Sequence, residues 1–139
     1  MATCLPRSVA KADSGALGMD ERRSIFVFGS NLAGRHGAGA ALAARKKWGA
    51  QYGVGKGPTG SAYAIPTKGK HLEILDIKEI EGYVKEFIEY ANANPDMEFF
   101  VTRVGCGLAG YKDHEIAPLF RRAPHNCSIP HEWRYYLED

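Results

Sequence analysis

The chain is short of everything that would mark a secreted, membrane-bound or strongly nucleic-acid-binding protein. Cysteine occurs three times, as Cys4, Cys106 and Cys127, an odd number without a CxxC pair. That usage fits a reducing compartment rather than a disulfide-stapled scaffold. No apolar run approaches the roughly 18 residues that cross a bilayer, and the first residues hold none of signal-peptide length. The Asn126-Cys127-Ser128 sequon therefore carries no weight, and the expected location is cytoplasmic, with no membrane partner. Charge of one sign is also missing: 18 basic residues stand against 16 acidic, a net +2. This balance gives no electrostatic case for non-specific nucleic-acid binding. There is no internal repeat.

What is present suits one globular domain. The 139 residues are 45% hydrophobic and 11% aromatic, enough for one core and too few for two ordinary domains. Met1 to Arg23 is a mixture of small and charged residues, read as a disordered arm or leader, so that the domain occupies 24–139. Order begins at Ile25-Phe26-Val27-Phe28, a buried-strand pattern closed by Gly29. A glycine-rich loop follows, and then an alanine-rich helix from Ala38 to about Trp48, ended by Gly49. Ala62 to Ile65 predicts a short strand stopped by Pro66. The clearest helix is Asp76 to Ala93. Ile77, Ile80, Val84, Phe87, Ile88 and Ala91 share one face, and Asp76 with Glu79 forms a capping-box signature. Phe99 to Val104 predicts a second strong strand, followed by a second glycine loop and a helix from about Asp113 to Arg122. The tail from Pro124 reads as irregular. Strand, glycine loop and helix thus occur twice, which predicts a layered α/β sheet with its ligand at the carboxyl ends of the strands.

The chemistry-bearing residues lie in those two loops. The first runs Gly29-Ser30-Asn31-Leu32-Ala33-Gly34-Arg35-His36-Gly37-Ala38-Gly39. Glycine lets backbone approach a ligand, and the first turn of the next helix offers unpaired N–H groups and a positive dipole end. Together they predict an anion site. The dinucleotide fingerprint does not fit, because Leu42 stands where its third glycine belongs, and no GxxxxGK[ST] exists. The second loop, Gly105-Cys106-Gly107-Leu108-Ala109-Gly110-Tyr111, repeats the arrangement, and two such loops can hold a diphosphate from both sides. Arg35 and Arg103 flank them, each a candidate phosphate contact or a surface charge. Cys106 is a candidate nucleophile, since a thiol at a helix N-terminus can have a lowered pKa, but no acid or histidine is tied to it by spacing. Lys68, at a strand exit, reads either as a solvated lysine or as a group reaching a phosphate or sugar carbon. His125, Cys127 and His131 supply three zinc-type ligands without a fourth, so no metal is expected. Trp133, Tyr135 and Tyr136 either stack on a base or close the core.

Three segments together resemble macrodomains, the family of ADP-ribose-binding modules, and within it the branch containing the terminal ADP-ribose protein glycohydrolase. They are Arg35-His36-Gly37-Ala38-Gly39-Ala40-Ala41 with Arg45-Lys46-Lys47-Trp48-Gly49, then Tyr63-Ala64-Ile65-Pro66-Thr67-Lys68, then Val104-Gly105-Cys106-Gly107-Leu108. Phe28-Gly29-Ser30-Asn31-Leu32-Ala33-Gly34 also resembles small phage-type macrodomain relatives. The resemblance covers roughly Ile25 to Phe120. It implies a three-layer fold with a central mixed sheet between helices in a single compact, monomeric domain. It implies a ligand of ADP-ribose or a related nucleotide, free or attached to protein or nucleic acid, with no cofactor. The first loop, from Ser30 to Gly39, would hold the ribose and diphosphate, with Asn31 facing the distal ribose. The second loop, from Gly105 to Tyr111, would close over the diphosphate. Lys68 matches the lysine that attacks the anomeric carbon in the hydrolase. One departure stands out: Ala109 occupies the position of that enzyme's aspartate, and Asp113 is the nearest acid that follows. The expectations are therefore an ADP-ribosyl glycohydrolase using Lys68 and Asp113, a non-catalytic binder or sensor of an ADP-ribose-derived signal, or another nucleotide-phosphate module.

Overall fold

The computed structural model describes residues 24–137, and the arm read over 1–23 lies outside them. The five strands are β1 (Ser24–Asn31), β2 (Gly57–Thr59), β3 (Ala62–Lys68), β4 (Glu98–Val101) and β5 (Cys127–Ser128). They form one sheet in the order β2-β3-β1-β4-β5. β1 lies parallel to both β3 and β4, β4 lies parallel to β5, and only β2 runs antiparallel, so the sheet is mixed. The longer helices are α1 (Gly39–Lys47) and α2 (Ile77–Ala93), and two single-turn helices, α3 (Asp113–Ile116) and α4 (Arg134–Leu137), follow them in the chain.

Side-chain alternation along the strands assigns the helices to two faces. Ile25 and Val27 of β1 and Tyr63 and Ile65 of β3 enter a large core with Ile80, Val84, Phe87 and Ala91 of α2, closed by Phe120 and Trp133. The opposite positions, Phe28, Ala62 and Ala64, meet Ala41 and Ala44 of α1 in a second, small-residue core. Phe26 on that face stacks on Trp48, with ring centroids 5.1 Å apart. α2 begins as its sequence predicts: the Asp76 carboxylate accepts from Glu79 N at 3.0 Å and Glu79 Oε1 accepts from Asp76 N at 3.3 Å.

Three expected boundaries move. β3 does not stop at Pro66 but runs on to Lys68. Ser61 O accepts from Phe26 N, so alternate residues from 61 to 65 face β1 and Pro66 turns outward. There β2 has already ended opposite Ala64, and a missing donor breaks no ladder bond. The pairing slips by one residue after Ser30, so that Asn31 meets Lys68 and Thr67 is the extra residue. The second strand ends at Val101, because Thr102 and Arg103 turn into the glycine loop. The predicted helix 113–122 is one α-turn followed by a 3-10 turn over Ala117–Phe120, with Pro118 at its start. The tail is not irregular throughout: it contributes β5, a 3-10 turn at His131–Trp133, and α4. Among the described residues, no helix is long and apolar enough to cross a membrane.

Candidate functional site

Three parallel strands end side by side, and their carboxyl ends open on one cavity of about 640 Å³. β1 delivers Gly29, Ser30 and Asn31, β3 delivers Thr67 and Lys68, and the chain leaving β4 delivers Thr102 and Arg103. The first glycine loop adds Arg35 and Gly37 to Gly39, continuing into Ala40 and Ala41 of α1. The second adds Gly105 to Ala109, and Leu72 comes from the β3–α2 connection.

The two loops are shaped differently. In the first, the Asn31 amide binds the backbone of Arg35 at both ends: Nδ2 donates to Arg35 O and Arg35 N donates to Oδ1, both at 2.9 Å. Gly34, at φ +73°, packs so closely on Gly53 that a Cβ would overlap Gly53 backbone. Gly37, in contrast, has open space where a Cβ would stand. α1 then starts without help. Its N-cap is Ala38, no side chain caps it, and no acid lies in its first turn. The first helical bond is Leu42 N to Ala38 O, so Gly39, Ala40 and Ala41 N–H have no acceptor among the described residues. In the second loop Cys106 N donates to Arg103 O, Gly110 N to Gly107 O and Tyr111 N to Gly105 O. Gly107, Leu108 and Ala109 N–H are left without an acceptor among the described residues, and a Cβ on Gly107 would also meet open space. Unsatisfied donors at this density form the kind of concavity that can accept an anion.

The side-chain charges point the same way. Arg35, Lys68 and Arg103 line the cavity, and no carboxylate does so among the described residues. Asp113 stands behind Arg103 rather than in the lining. It accepts from Arg103 Nε at 3.0 Å and Nη2 at 2.7 Å, and from the buried Trp133 indole at 2.8 Å. The guanidinium bonds, above all, pull its carboxyl down to about 2, with the Trp133 bond and the nearby Cys106 thiol adding to them. A carboxylate so held stays ionised and has no proton to donate at neutral pH. The Cys106 thiol is pushed up to about 12, first by burial and then by the nearby Asp113 carboxylate, which makes it a neutral thiol rather than an activated nucleophile.

Other residues singled out from the sequence lie elsewhere. His36, between two lining residues, points inward and is fully buried against Phe28 and Tyr52. Its Nε2 lies 3.1 Å from Val54 O and so carries the proton, while Nδ1 has no partner. Burial lowers its pKa first, and nearby Arg45 lowers it further against the opposing Val54 bond. Leu32, Gly110 and Tyr111 are outside the lining, and the Tyr111 hydroxyl donates to Leu75 O, tying the second loop to the start of α2. His125, Cys127 and His131 form no cluster: among the described residues no group of three such ligands could hold a metal, and Cys127 is buried in the large core. Trp133 closes that core, whereas Tyr135 is exposed. Sequence reasoning missed Thr67, Thr102, Ala40, Ala41 and Leu72 as lining residues. The first two follow from a single signal, the carboxyl ends of parallel strands. Ala40 and Ala41 follow from the uncapped helix start.

Comparisons with protein-family models, with curated proteins and with solved structures find no match to this chain.

Proposed function

We propose that this protein binds ADP-ribose or an ADP-ribose derivative, holding the diphosphate between the first turn of α1 and the 105–110 loop. The observation that carries the reading is the pair of backbone N–H sets without acceptors. Both open on one cavity whose lining has three cations and no carboxylate among the described residues. A diphosphate offers two charged phosphoryl groups, one for each set, whereas a monophosphate offers a single one. The macrodomain resemblance of the same segments supports the adenosine and ribose ends of the ligand.

The same geometry favours a binder or sensor over a fast hydrolase. Lys68 lines the cavity and its Nζ has no partner among the described residues, which places it to reach an anomeric carbon, although only its neutral amine could attack there. Cleavage also requires a proton for the leaving oxygen and a base for water, together worth ~10²–10⁴-fold. Ala109 brings no such group, and Asp113 is occupied by Arg103 and Trp133.

Thermal unfolding with ADP-ribose and AMP tests the binding. A hundredfold excess of ADP-ribose over its Kd is expected to stabilise the fold by ~2.7 kcal/mol, and AMP by much less. Equal shifts would refute the two-loop grip. Incubation with glutamate-linked and nucleic-acid-linked ADP-ribose is expected to release little over hours, and Lys68→Ala should remove that little. Rapid release that depends on Lys68 would make the protein an ADP-ribosyl glycohydrolase instead.

A further inference from the structure

The neutral polar side chains around the cavity are already engaged. Ser30 Oγ donates to Gly55 O at 2.5 Å, Thr67 Oγ1 to Ser30 O at 3.3 Å and Thr102 Oγ1 to Val27 O at 2.7 Å. The Asn31 amide is closed on Arg35 backbone, and the Cys106 thiol reaches Val104 O at 3.7 Å. Ser30 and Thr67 are moreover buried at the strand ends, behind the loops. Among the lining side chains, the uncommitted hydrogen-bonding groups are the cations Arg35 and Lys68, with the part of the Arg103 guanidinium that Asp113 does not hold, and beside them stand the N–H sets of the two loops.

The large apolar lining consists of two leucines, and both are exposed. Leu108 is 72% accessible and Leu72 is 41% accessible. Leu72 is also the one non-glycine residue with positive φ among those described, at +65°. A branched side chain in that region is strained, and strain of this kind gathers at ligand-binding turns. The turn is held by Leu72 N donating to Gly69 O and Gly69 N donating to Glu73 O. The result is an apolar side chain kept at the cavity rim instead of in the core.

Resting on the diphosphate reading above, we propose that the site selects its ligand by the diphosphate and its sugar, with the base held only by apolar contact. Its ligand class is then nucleoside diphosphate riboses irrespective of base. A pocket discriminates strongly when it hydrogen-bonds a group that the wrong ligand lacks, and only about 10–200-fold when it relies on apolar fit. Purines and pyrimidines all present an apolar face to Leu72 and Leu108, while the free donors address phosphate oxygens that every such ligand carries.

Calorimetry on the full chain with adenosine, uridine and guanosine diphosphate ribose tests this, with inorganic pyrophosphate as competitor. The three Kd values are expected to lie within about 200-fold of one another, pyrophosphate should displace all three, and Gly107→Val should abolish all three binding signals. Adenosine diphosphate ribose binding alone, or more than about 200-fold tighter than the others, would overturn base tolerance and leave the ADP-ribose reading standing. Failure of pyrophosphate to compete would overturn selection by the diphosphate. Failure of all three to bind would overturn both readings.

Discussion

Removing the Asp113 carboxylate tests whether the second loop is braced from behind. The side chain joins two pieces of chain: Arg103, where β4 leads into the second loop, and Trp133 near the end of the described residues. Its depression from 3.8 to about 2 corresponds to about 2 kcal/mol of stability at neutral pH. Arg103 is about half-exposed, and solvent screening trims this to roughly 1–2 kcal/mol. A carboxyl held below its unfolded value adds stability that is complete above pH 4 and disappears as pH falls toward 2. Asp113→Asn keeps an oxygen for the Trp133 indole but loses the charge. It is expected to cost roughly 1–2 kcal/mol at pH 7 and about half of that at pH 3, where wild-type Asp113 is itself partly protonated in the unfolded chain. Asp113→Ala also leaves a fully buried indole N–H without an acceptor, adding about 1–3 kcal/mol at either pH. Urea unfolding followed by tryptophan fluorescence between pH 7 and pH 3 measures both differences. A penalty for Asn that stays constant with pH, or an Ala variant no less stable than Asn, would refute the brace.

Two further outcomes follow from the first loop and its partner. Gly37→Val and Gly107→Val should each lose ADP-ribose binding by calorimetry while unfolding within about 1 kcal/mol of wild type, because an added Cβ meets only the open cavity; normal binding in either variant would make that loop structural only. His36 is buried with a lowered pKa, so the unfolded chain takes up a proton near pH 6.5 before the folded chain does. Wild-type stability should therefore fall between pH 6.5 and 5 relative to His36→Gln, whose amide can still donate to Val54 O; parallel pH profiles would show that His36 does not titrate in this way.

Much of the architecture was legible in the sequence because it rests on local periodicity. The apolar face and capping box of α2, the apolar run of β1 and the alanines of α1 are each written within a dozen residues. Both glycine loops are legible for the same reason, and so is their common location, since parallel strands bring their carboxyl ends together. The partnerships inside the site were less legible. Nothing in the spacing of Arg103, Asp113 and Trp133 marks them as one cluster, because a loop and a 3-10 turn join them rather than one helix face. His36 stands among cavity residues in sequence yet faces inward, since the Asn31 clasp on Arg35 sets the turn that aims it at Phe28. Pro66 misled as a strand stop because whether its missing donor matters depends on how far β2 extends, a tertiary fact. The strained turn at Leu72 has no composition signal, as leucine is a poor predictor of positive φ.

The small-residue contact between α1 and the sheet bears on how firmly that helix is mounted. Ala41 and Ala44 share a small core with Phe28, Ala62 and Ala64, and the alanines among them present Cβ atoms that have no rotamers to exchange. A joint made of such groups has little play: it can transmit a displacement but cannot absorb one by repacking side chains. The α2 face, built of long aromatic and branched side chains, can take up small shifts by rotation about χ angles. The α1 N-terminus, with its bare N–H groups, is thus mounted on β1 with less room for side-chain adjustment than α2 has. The spacing between that terminus and the strand ends behaves as a fixed gauge, and the same stiffness makes the alanine contact the place where one added methyl group would travel furthest.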